Sequence, residues 1–221
     1  MTVKSIGVLT IGQSPRTDLT PSIQHILGDS VIIVEAGALD RLRDDEMHSI
    51  QPEGQDSTYI SKLRNGQSVK IGKSKLLPLL QEELNKLEEQ VSTVIMLCTG
   101  DFPAIEHKKP LFYPDKILSQ TVQAILDKGK LGLIVPLEEQ RNSLTKKWDA
   151  SGLELCIEVA SPYHESDVEG AARNLKEQGA ALIVLDCMGY NEDHKKDAIK
   201  GSELPVLLPR TLTARIAAEY V

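Results

Sequence analysis

The chain has 221 residues, of which 41% are hydrophobic and only 4% aromatic, and it carries a formal net charge of −7. The acidic balance argues against nucleic-acid binding, which requires a basic surface to neutralise phosphates. No apolar run approaches the roughly 20 residues that span a bilayer.

The amino-terminal stretch MTVKSIGVLT becomes polar too early for a signal peptide and is predicted to form a first strand. The three cysteines, Cys98, Cys156 and Cys187, form an odd count that fits poorly with a disulfide framework. We therefore expect a cytoplasmic protein with reduced thiols.

Short aliphatic runs alternate along the chain with segments of helical periodicity. The predicted strands are Ser5–Ile11, Val31–Ala36, Thr93–Cys98, Leu131–Val135, Leu153–Ala160, Ala181–Asp186 and Pro205–Leu208. This alternation predicts βαβ units and parallel sheets, and a core poor in aromatic residues suits strands that are buried on both faces.

One region departs from this alternation. The stretch STYISKLRNGQSVKIG, at about 57–73, has alternating character around Asn65-Gly66, the residue pair that a type I′ turn prefers. It is predicted to be an inserted antiparallel hairpin. The acid-rich stretch 40–49 is interpreted as the solvated face of a helix.

Two strand endings resemble each other, TVIMLCTGD at 93–101 and ALIVLDCMGY at 181–190. In each, an aliphatic strand ends in a cysteine that is followed by one residue and a glycine. Ligands of α/β proteins bind beyond the carboxyl ends of the strands, where Cys98 and Cys187 are expected to lie. Cys156 lies in the middle of a predicted strand and is assigned to the core.

The pattern allows two interpretations of Cys98 and Cys187. They are either a pair of thiols, one removing a proton from a substrate carbon and the other donating one, or small residues packed in the core. Helix N-termini and backbone N–H groups can lower thiol pKa values, as the first interpretation requires. A metal site with His194 is a weaker option, because no ligand-like spacing exists. No dinucleotide or nucleoside triphosphate motif is present.

The first strand ends in the loop LTIGQSPR, at residues 9–16. Gly12 allows close backbone approach, and Ser14 and Pro15 could begin a helix whose N–H groups bind an anion. Arg16 could clamp a carboxylate. One alternative is an ordinary capped loop with a solvated Arg16. Another is a helix that starts with Thr20 as its cap, which would leave GQSPR a longer and more mobile loop.

Two later loops follow strands at the same edge. IVPLEEQ contains Pro136 and Glu138, and Glu138 either faces the site or compensates a helix dipole. LLPRT contains Arg210, which either neutralises a bound anion or lies on the surface.

The runs IGQSPR, IVPLEEQ, VLDCMGY and PVLLPRTLTARIAAE resemble the AroM family, within the aspartate/glutamate/hydantoin racemase superfamily. The resemblance implies an α/β fold of two similar Rossmann-like lobes with mainly parallel sheets, pseudo-twofold related, plus the inserted hairpin. The expected boundaries are 1–112 with 209–221 for the first lobe and 113–208 for the second, with the active site between the lobes.

The resemblance also implies a cofactor-independent reaction with Cys98 and Cys187 as the catalytic pair. The residues expected to hold a substrate carboxylate lie in the loops after the strands: Gly12, Gln13, Ser14, Pro15, Arg16, Thr99, Gly100, Asp101, Pro136, Glu138, Met188, Gly189 and Arg210. No metal is expected.

This sequence departs from the amino-acid racemases at the residues after both cysteines and in the first loop, which lacks their Asp-Ser-Gly signature. Aspartate and glutamate are therefore not predicted as substrates. The expected function is a racemase or isomerase that acts next to a carboxylate of a small organic or amino acid, with Cys98 and Cys187 as an acid/base pair or one of them as a nucleophile. The alternative is a non-catalytic sensor of a small carboxylate, linked through the family name to aromatic amino-acid (shikimate) metabolism. The expected partner is a small anionic ligand, without nucleic acid or membrane, in a chain that could form homo-oligomers.

Overall fold

The computed structural model describes residues 4–102, 104–148 and 151–221, and it shows an α/β fold. The strands are β1 (Lys4–Thr10), β2 (Val31–Gly37), β3 (Thr58–Lys62), β4 (Ser68–Gly72), β5 (Thr93–Leu97), β6 (Leu111–Phe112), β7 (Lys130–Val135), β8 (Glu154–Val159), β9 (Ala180–Leu185) and β10 (Val206–Leu207). The α-helices are α1 (Thr20–Leu27), α2 (Lys73–Leu87), α3 (Pro114–Ile125), α4 (Arg141–Trp148), α5 (Val168–Glu177), α6 (Glu192–Ser202) and α7 (Pro209–Tyr220). Short 3₁₀ helices span Asp44–Ile50 and Glu138–Gln140.

The chain divides into two compact units. Unit 1 comprises Met1–Pro114 and Thr213–Val221, and unit 2 comprises Asp115–Leu212. The second boundary falls within α7, whose residues from Thr213 onward belong to unit 1.

Unit 1 contains a four-stranded parallel sheet in the order β2-β1-β5-β6. Its central strands β1 and β5 are aliphatic and almost wholly buried, as strands covered on both faces must be. The apolar stripe of α2 packs on them through four buried leucines: Leu76, Leu80, Leu84 and Leu87. The short edge strand β6 was not predicted, because two residues carry no detectable period.

Unit 2 contains a second four-stranded parallel sheet in the order β10-β9-β7-β8. When only the strands of each parallel sheet are numbered in chain order, both sheets have the order 2-1-3-4. The fold class predicted from the sequence is confirmed at this level, since each unit is a set of βαβ crossovers around a parallel sheet.

The predicted hairpin is present, but its turn differs from the prediction. Strands β3 and β4 pair antiparallel, and the Leu63 amide bonds to the Gln67 carbonyl across a loop of three residues. Only Gly66 in that loop has a positive φ, of 85°, whereas a type I′ turn requires positive φ at two central residues. The hairpin therefore has a three-residue loop with glycine in the left-handed position.

The structure decides between the alternatives for the first helix, and it corrects the prediction for residues 40–49. The first helix begins at Thr20, so Ser14 and Pro15 do not open it, and the alternative of a longer loop is the correct one. The stretch 40–49 is not a uniformly solvated face, because Met47 is buried within the 3₁₀ helix and Asp40 is bound by neighbouring loops.

The register of the central strands determines which loops emerge side by side. Thr10 is paired with Leu97 in unit 1, so the loops that begin at Ile11 and Cys98 leave the sheet together. In unit 2, Ile134 is paired with Leu185, so the loops after β7 and β9 also emerge together. Between the first and third strands of such a sheet lies the switch point at which α/β proteins bind ligands.

Candidate functional site

Each unit places a thiol at the carboxyl end of its third strand. Cys98 follows β5 directly, and Cys187 lies two residues after the end of β9. Both residues are half-buried thiols. The amide of Gly100 donates to Cys98 Sγ at 3.3 Å, and the amide of Gly189 donates to Cys187 Sγ at 3.4 Å. The Cys-x-Gly sequence thus produces the same local geometry twice.

A tyrosine ring lies against the glycine that follows each thiol. A Cβ atom at Gly100 would come within 2.5 Å of Tyr59 Cε1, and one at Gly189 would come within 2.6 Å of Tyr163 Oη. Only glycine fits under these rings. In each unit the tyrosine belongs to the segment after the second strand, which is the hairpin in unit 1 and the loop between β8 and α5 in unit 2.

The hydroxyl groups of the two tyrosines have different partners. Tyr59 Oη donates to the carbonyl oxygen of Asp101 at 3.2 Å. Asp101 is exposed, and its contact with this tyrosine is made by its backbone. Tyr163 Oη lies 3.7 Å from Cys187 Sγ, within hydrogen-bonding distance for sulfur. Thr99, between Cys98 and Gly100, is buried.

The loop after β1 uses its amides within unit 1. The Gly12 amide donates to Thr10 Oγ1 at 3.2 Å, and the Gln13 amide donates to the Lys62 carbonyl at 3.4 Å. The Ser14 amide and hydroxyl donate to the two carboxylate oxygens of Asp40, at 2.7 and 2.6 Å. The carboxylate held by Ser14 in this structure is therefore one of the chain's own.

The inserted hairpin packs directly over this loop. A Cβ atom at Gly12 would come within 2.6 Å of the Lys62 carbonyl oxygen, so the close approach that requires glycine here is made by the hairpin. At the hairpin tip, the Arg64 amide donates to Gln13 Oε1 at 3.0 Å, and the Arg64 guanidinium bonds to Asp40 Oδ1 at 2.8 Å.

Arg16 is buried, and its guanidinium is held within the unit. It pairs with both oxygens of Asp18, at 2.8 and 2.9 Å, and donates to the hydroxyls of Thr10 and Ser61. Burial by itself would raise the pKa of Asp18, but the hydrogen bond and charge of Arg16 outweigh it, so that this pKa is lowered. Neighbouring Pro15 is exposed, and the Ser14–Pro15 peptide bond is cis.

The loop after β7 carries Pro136 and Glu138. Pro136 is buried, whereas the Glu138 side chain is 69% exposed and pairs with Arg141 at 2.5 Å. The contact that the structure shows for Glu138 is thus the one between the 3₁₀ helix and the first residue of α4.

Arg210 is buried at the start of α7, beneath the loop that follows Cys187. Its guanidinium donates to the carbonyl oxygens of Met188 and Gly189 at 3.0 to 3.2 Å. Met188 is itself buried. The arginine therefore holds the shape of the Met188–Gly189 turn and is not a surface residue, which was one of the two alternatives from the sequence.

Asp186, immediately before Cys187, is held by α4. Lys147 Nζ lies 2.9 Å from both carboxylate oxygens, and Trp148 Nε1 donates to Oδ2 at 2.8 Å. The Asp186 side chain is fully buried and that of Lys147 is 11% exposed. The pair thus anchors α4 beside the thiol.

A family model described as AroM protein matches residues 6–221. The chain belongs to the AroM family.

Solved structures of similar fold include three enzymes at low identity. The aspartate racemase of Picrophilus torridus is 12% identical over 98% of this chain and 94% of that chain, with a TM-score of 0.57. Glutamate racemase isoform RacE1 of Bacillus anthracis is 14% identical over 98% and 81%, with a TM-score of 0.64. The maleate isomerase Iso of Pseudomonas putida S16 is 9% identical over 99% and 93%, with a TM-score of 0.55. A search of curated proteins gave no match. At these identities the likeness shows that this AroM chain has a racemase-like fold.

The third cysteine of the AroM chain is a core residue, as predicted. Cys156 lies in β8, is 7% exposed and belongs to the apolar cluster of unit 2. Burial raises the pKa of its thiol, with the charge of Glu158 acting in the same direction and that of Lys130 against it. It serves as an internal reference for the two thiols at the strand ends.

Other chemistries find little support in the AroM chain. Within the described residues, no group of three or more His, Cys, Asp or Glu side chains could hold a metal ion. His194 caps α6, where its Nδ1 accepts from the Asn191 amide at 3.1 Å. No helix in the described part of the chain is long and apolar enough to cross a membrane.

Sequence reasoning missed Tyr59, Tyr163 and Asp40 in this AroM chain. A signal existed for the tyrosines, because each is the first aromatic residue after the second strand of its unit. No signal existed for Asp40, which lies among several acidic residues in a stretch that resembles solvated surface. Ser14 and its partner Asp40 lie 26 positions apart, and no local pattern predicts such a contact. Arg16 and Asp18 are near neighbours in the chain, but their pairing was not predicted.

Proposed function

We propose that this protein is a racemase or isomerase that acts on the carbon next to a carboxylate of a small organic or amino acid, with Cys98 and Cys187 as a pair of thiols acting on one substrate. One thiolate removes the proton, and the other thiol returns one to the opposite face of the carbon. The reaction needs no cofactor, because the thiols supply both proton-transfer groups.

The repeated Cys-x-Gly arrangement carries this proposal. In both units a half-buried sulfur at the end of the third strand accepts an amide hydrogen bond, at 3.3 and 3.4 Å. A donated hydrogen bond stabilises a thiolate more than a thiol, and the reaction requires a thiolate. A cysteine that served only as packing would not need the same donor in both units.

The racemase-like fold supports the same proposal. The three similar structures are an aspartate racemase, a glutamate racemase and a maleate isomerase, each named for a small carboxylate. Fold likeness alone does not establish a reaction. We therefore propose the class of reaction and of ligand, and leave the particular carboxylate open.

Ligand binding is proposed for the loops predicted from the sequence, with different roles within them. The turns at 99–101 and 188–189, next to the thiols, are proposed to contact the substrate. Ser14 and Arg16 are proposed to hold the loop after β1 in place, since their donors engage Asp40 and Asp18. Arg210 is proposed to support the second turn through the carbonyls of Met188 and Gly189.

Thiol alkylation tests the proposal without knowledge of the substrate. The full chain is treated with iodoacetamide at pH 7, and the rate at each cysteine is followed by mass spectrometry. We expect Cys98 or Cys187 to react faster than the buried Cys156. It should also react about tenfold faster than the same thiol in the urea-unfolded chain, because lowering a thiol pKa by one unit raises the thiolate fraction by about that factor.

A panel of small carboxylates, including aspartate, glutamate and maleate, provides the second readout. A carboxylate that binds at the thiols should slow the fast alkylation. If both strand-end cysteines react no faster than Cys156, two-thiol catalysis is excluded. In that case, a carboxylate that still binds would favour the alternative of a non-catalytic sensor.

A further inference from the structure

Tyr163 is held in a fixed position over the turn that follows Cys187. Its ring and that of Pro162 lie where a side chain at Gly189 would be, with Tyr163 Cζ and Pro162 Cγ within 2.7 and 2.9 Å of an added Cβ atom. The Tyr163 amide donates to Ser161 Oγ at 3.2 Å, which fixes the backbone just before the ring.

The loop that carries Tyr163 is closed at both ends. Ser166 Oγ donates to the Ser161 carbonyl at 2.7 Å, which spans the loop. The side chain of the next residue, Asp167, caps α5 by accepting from the Gly170 amide at 2.7 Å. The ring is therefore positioned before any ligand binds.

The hydroxyl of Tyr163 is directed at the sulfur of Cys187. The Oη–Sγ distance is 3.7 Å, and the same sulfur accepts the Gly189 amide at 3.4 Å. A phenol is a better hydrogen-bond donor to a thiolate than to a neutral thiol, because the acceptor then carries a full charge. Either atom could donate in the contact between Tyr163 and Cys187, but with Cys187 as a thiolate only the hydroxyl carries a hydrogen to donate.

A second tyrosine lies close by but has another task. Tyr190 is fully buried, and its hydroxyl donates to the Ala160 carbonyl at 2.5 Å. Burial, with the nearby Cys187, Asp186 and Tyr163 acting in the same direction, raises the pKa of Tyr190 well above its usual value. Tyr190 therefore stays a neutral phenol that is bound to a carbonyl. Of these two tyrosines, Tyr163 is the one whose hydroxyl contacts the thiol of Cys187.

Two charged side chains next to this turn, those of Asp186 and Arg210, are held by specific partners. Asp186, next to Cys187, is neutralised by Lys147 and bonded by Trp148. On the other side, Arg210 places a buried cation on the carbonyls of Met188 and Gly189. The carboxylate next to Cys187 is thus paired with a cation, and the turn that follows Cys187 is bound by a second, buried cation.

We propose that Tyr163 is a positioning residue that holds Cys187 as an oriented thiolate through its hydroxyl group. The proposal rests on the proposed function, since it assigns a supporting role at the same thiol. It concerns the charge state of one sulfur, so it can be tested apart from turnover.

The test measures the iodoacetamide labelling rate of Cys187 as a function of pH in the full chain, for the wild type and Tyr163→Phe. Phenylalanine keeps the ring over Gly189 and removes only the hydroxyl. We expect labelling of Cys187 at pH 7 to slow about 3- to 10-fold, as loss of one hydrogen bond predicts. The midpoint of the rate–pH profile should move to higher pH, while the profile of Cys98 stays unchanged.

Tyr59→Phe is the matched control, because Tyr59 covers the equivalent Gly100 but its hydroxyl donates to the Asp101 carbonyl. It should leave the Cys187 profile unchanged. If Tyr163→Phe labels Cys187 at the wild-type rate and midpoint, the proposal is overturned and the ring serves only packing. If no strand-end cysteine of the wild type outpaces Cys156, the proposed function itself fails.

Discussion

Arg16 and Asp40 are charged residues whose partners differ from those expected from the sequence. Arg16 was expected to bind a substrate carboxylate or lie in solvent, but it is buried against Asp18. Asp40 was assigned to a solvated helix, but it binds Ser14 and Arg64. In both cases a charged group that leaves water must find opposite charge or hydrogen bonds, and the nearest ones lie within the same unit.

His194 gives a prediction at this scale. Burial lowers the pKa of His194, and nearby Arg210 acts in the same direction, while Asp193 and Asp197 oppose them. Because the folded-state pKa is below the unfolded value of 6.5, the unfolded chain binds the proton more readily. The stabilising contribution is therefore present above about pH 6.5 and is lost as the pH falls toward the folded-state pKa.

Thermal denaturation at pH 7.5 and pH 5 checks this expectation. The melting temperature of the wild type should fall more on acidification than that of His194→Gln. The same substitution at His25, which is exposed on α1, is the matched control. Equal behaviour of the His194 and His25 variants would contradict the assignment.

At the scale of elements, one inserted hairpin and one crossover helix shape the candidate site. The hairpin β3–β4 covers the loop after β1 and brings Tyr59 over Gly100. Helix α4 presents Lys147 and Trp148 to Asp186, beside Cys187. Functional loops are commonly positioned by a rigid scaffold. Here the hairpin contacts the turn after Cys98, and α4 contacts the residue before Cys187.

The Lys147–Asp186 pair gives a prediction at this scale. Lys147→Met removes the ammonium group that bonds both oxygens of a fully buried carboxylate. Breaking one partner of a buried pair costs about 3–5 kcal/mol, so the free energy of unfolding should fall by that amount in urea denaturation. Lys146→Met is the matched control, since Lys146 is exposed on the same helix, and it should change stability by less than about 0.5 kcal/mol. Similar stabilities of the two variants would show that the buried pair contributes little.

At the scale of the whole molecule, the same arrangement of strands and strand-end residues occurs in both units. Both parallel sheets have the strand order 2-1-3-4, with a cysteine after the third strand and a tyrosine over the following glycine. Among the residues that the structure describes, the inserted hairpin lies in unit 1. A reaction that uses both thiols needs both copies of this arrangement.

Deuterium incorporation tests this requirement. The protein is incubated in D₂O with a panel of small carboxylates, including aspartate and glutamate, and exchange next to the carboxylate is followed by NMR. Turnover of any substrate found this way should fall by about 10²- to 10⁴-fold in Cys98→Ser and in Cys187→Ser, since each removes a proton-transfer group. Cys156→Ser should retain it, and turnover that survives in either of the other two variants would argue against a paired mechanism.

Much of this architecture was predictable from local pattern. The aliphatic runs identified most strands to within one or two residues, and the similarity of TVIMLCTGD and ALIVLDCMGY placed both cysteines at the strand ends. The two-residue strand β6 and the turn type at Asn65-Gly66 were missed. A strand of two residues is too short to show an alternating hydrophobic pattern, and a hairpin loop that is one residue longer leaves that pattern almost unchanged.

The sequence by itself determined the α/β class, the repeat of strand, cysteine and glycine, and the edge at which Cys98 and Cys187 lie. These depend on periodicity and on strand direction, which are local properties. Only the tertiary structure decided that Ser14 holds Asp40, that Arg210 supports the Met188–Gly189 turn, and that Tyr163 faces Cys187. Each of these contacts joins residues more than 20 positions apart, and burial forces their polar groups to find partners that no single segment contains.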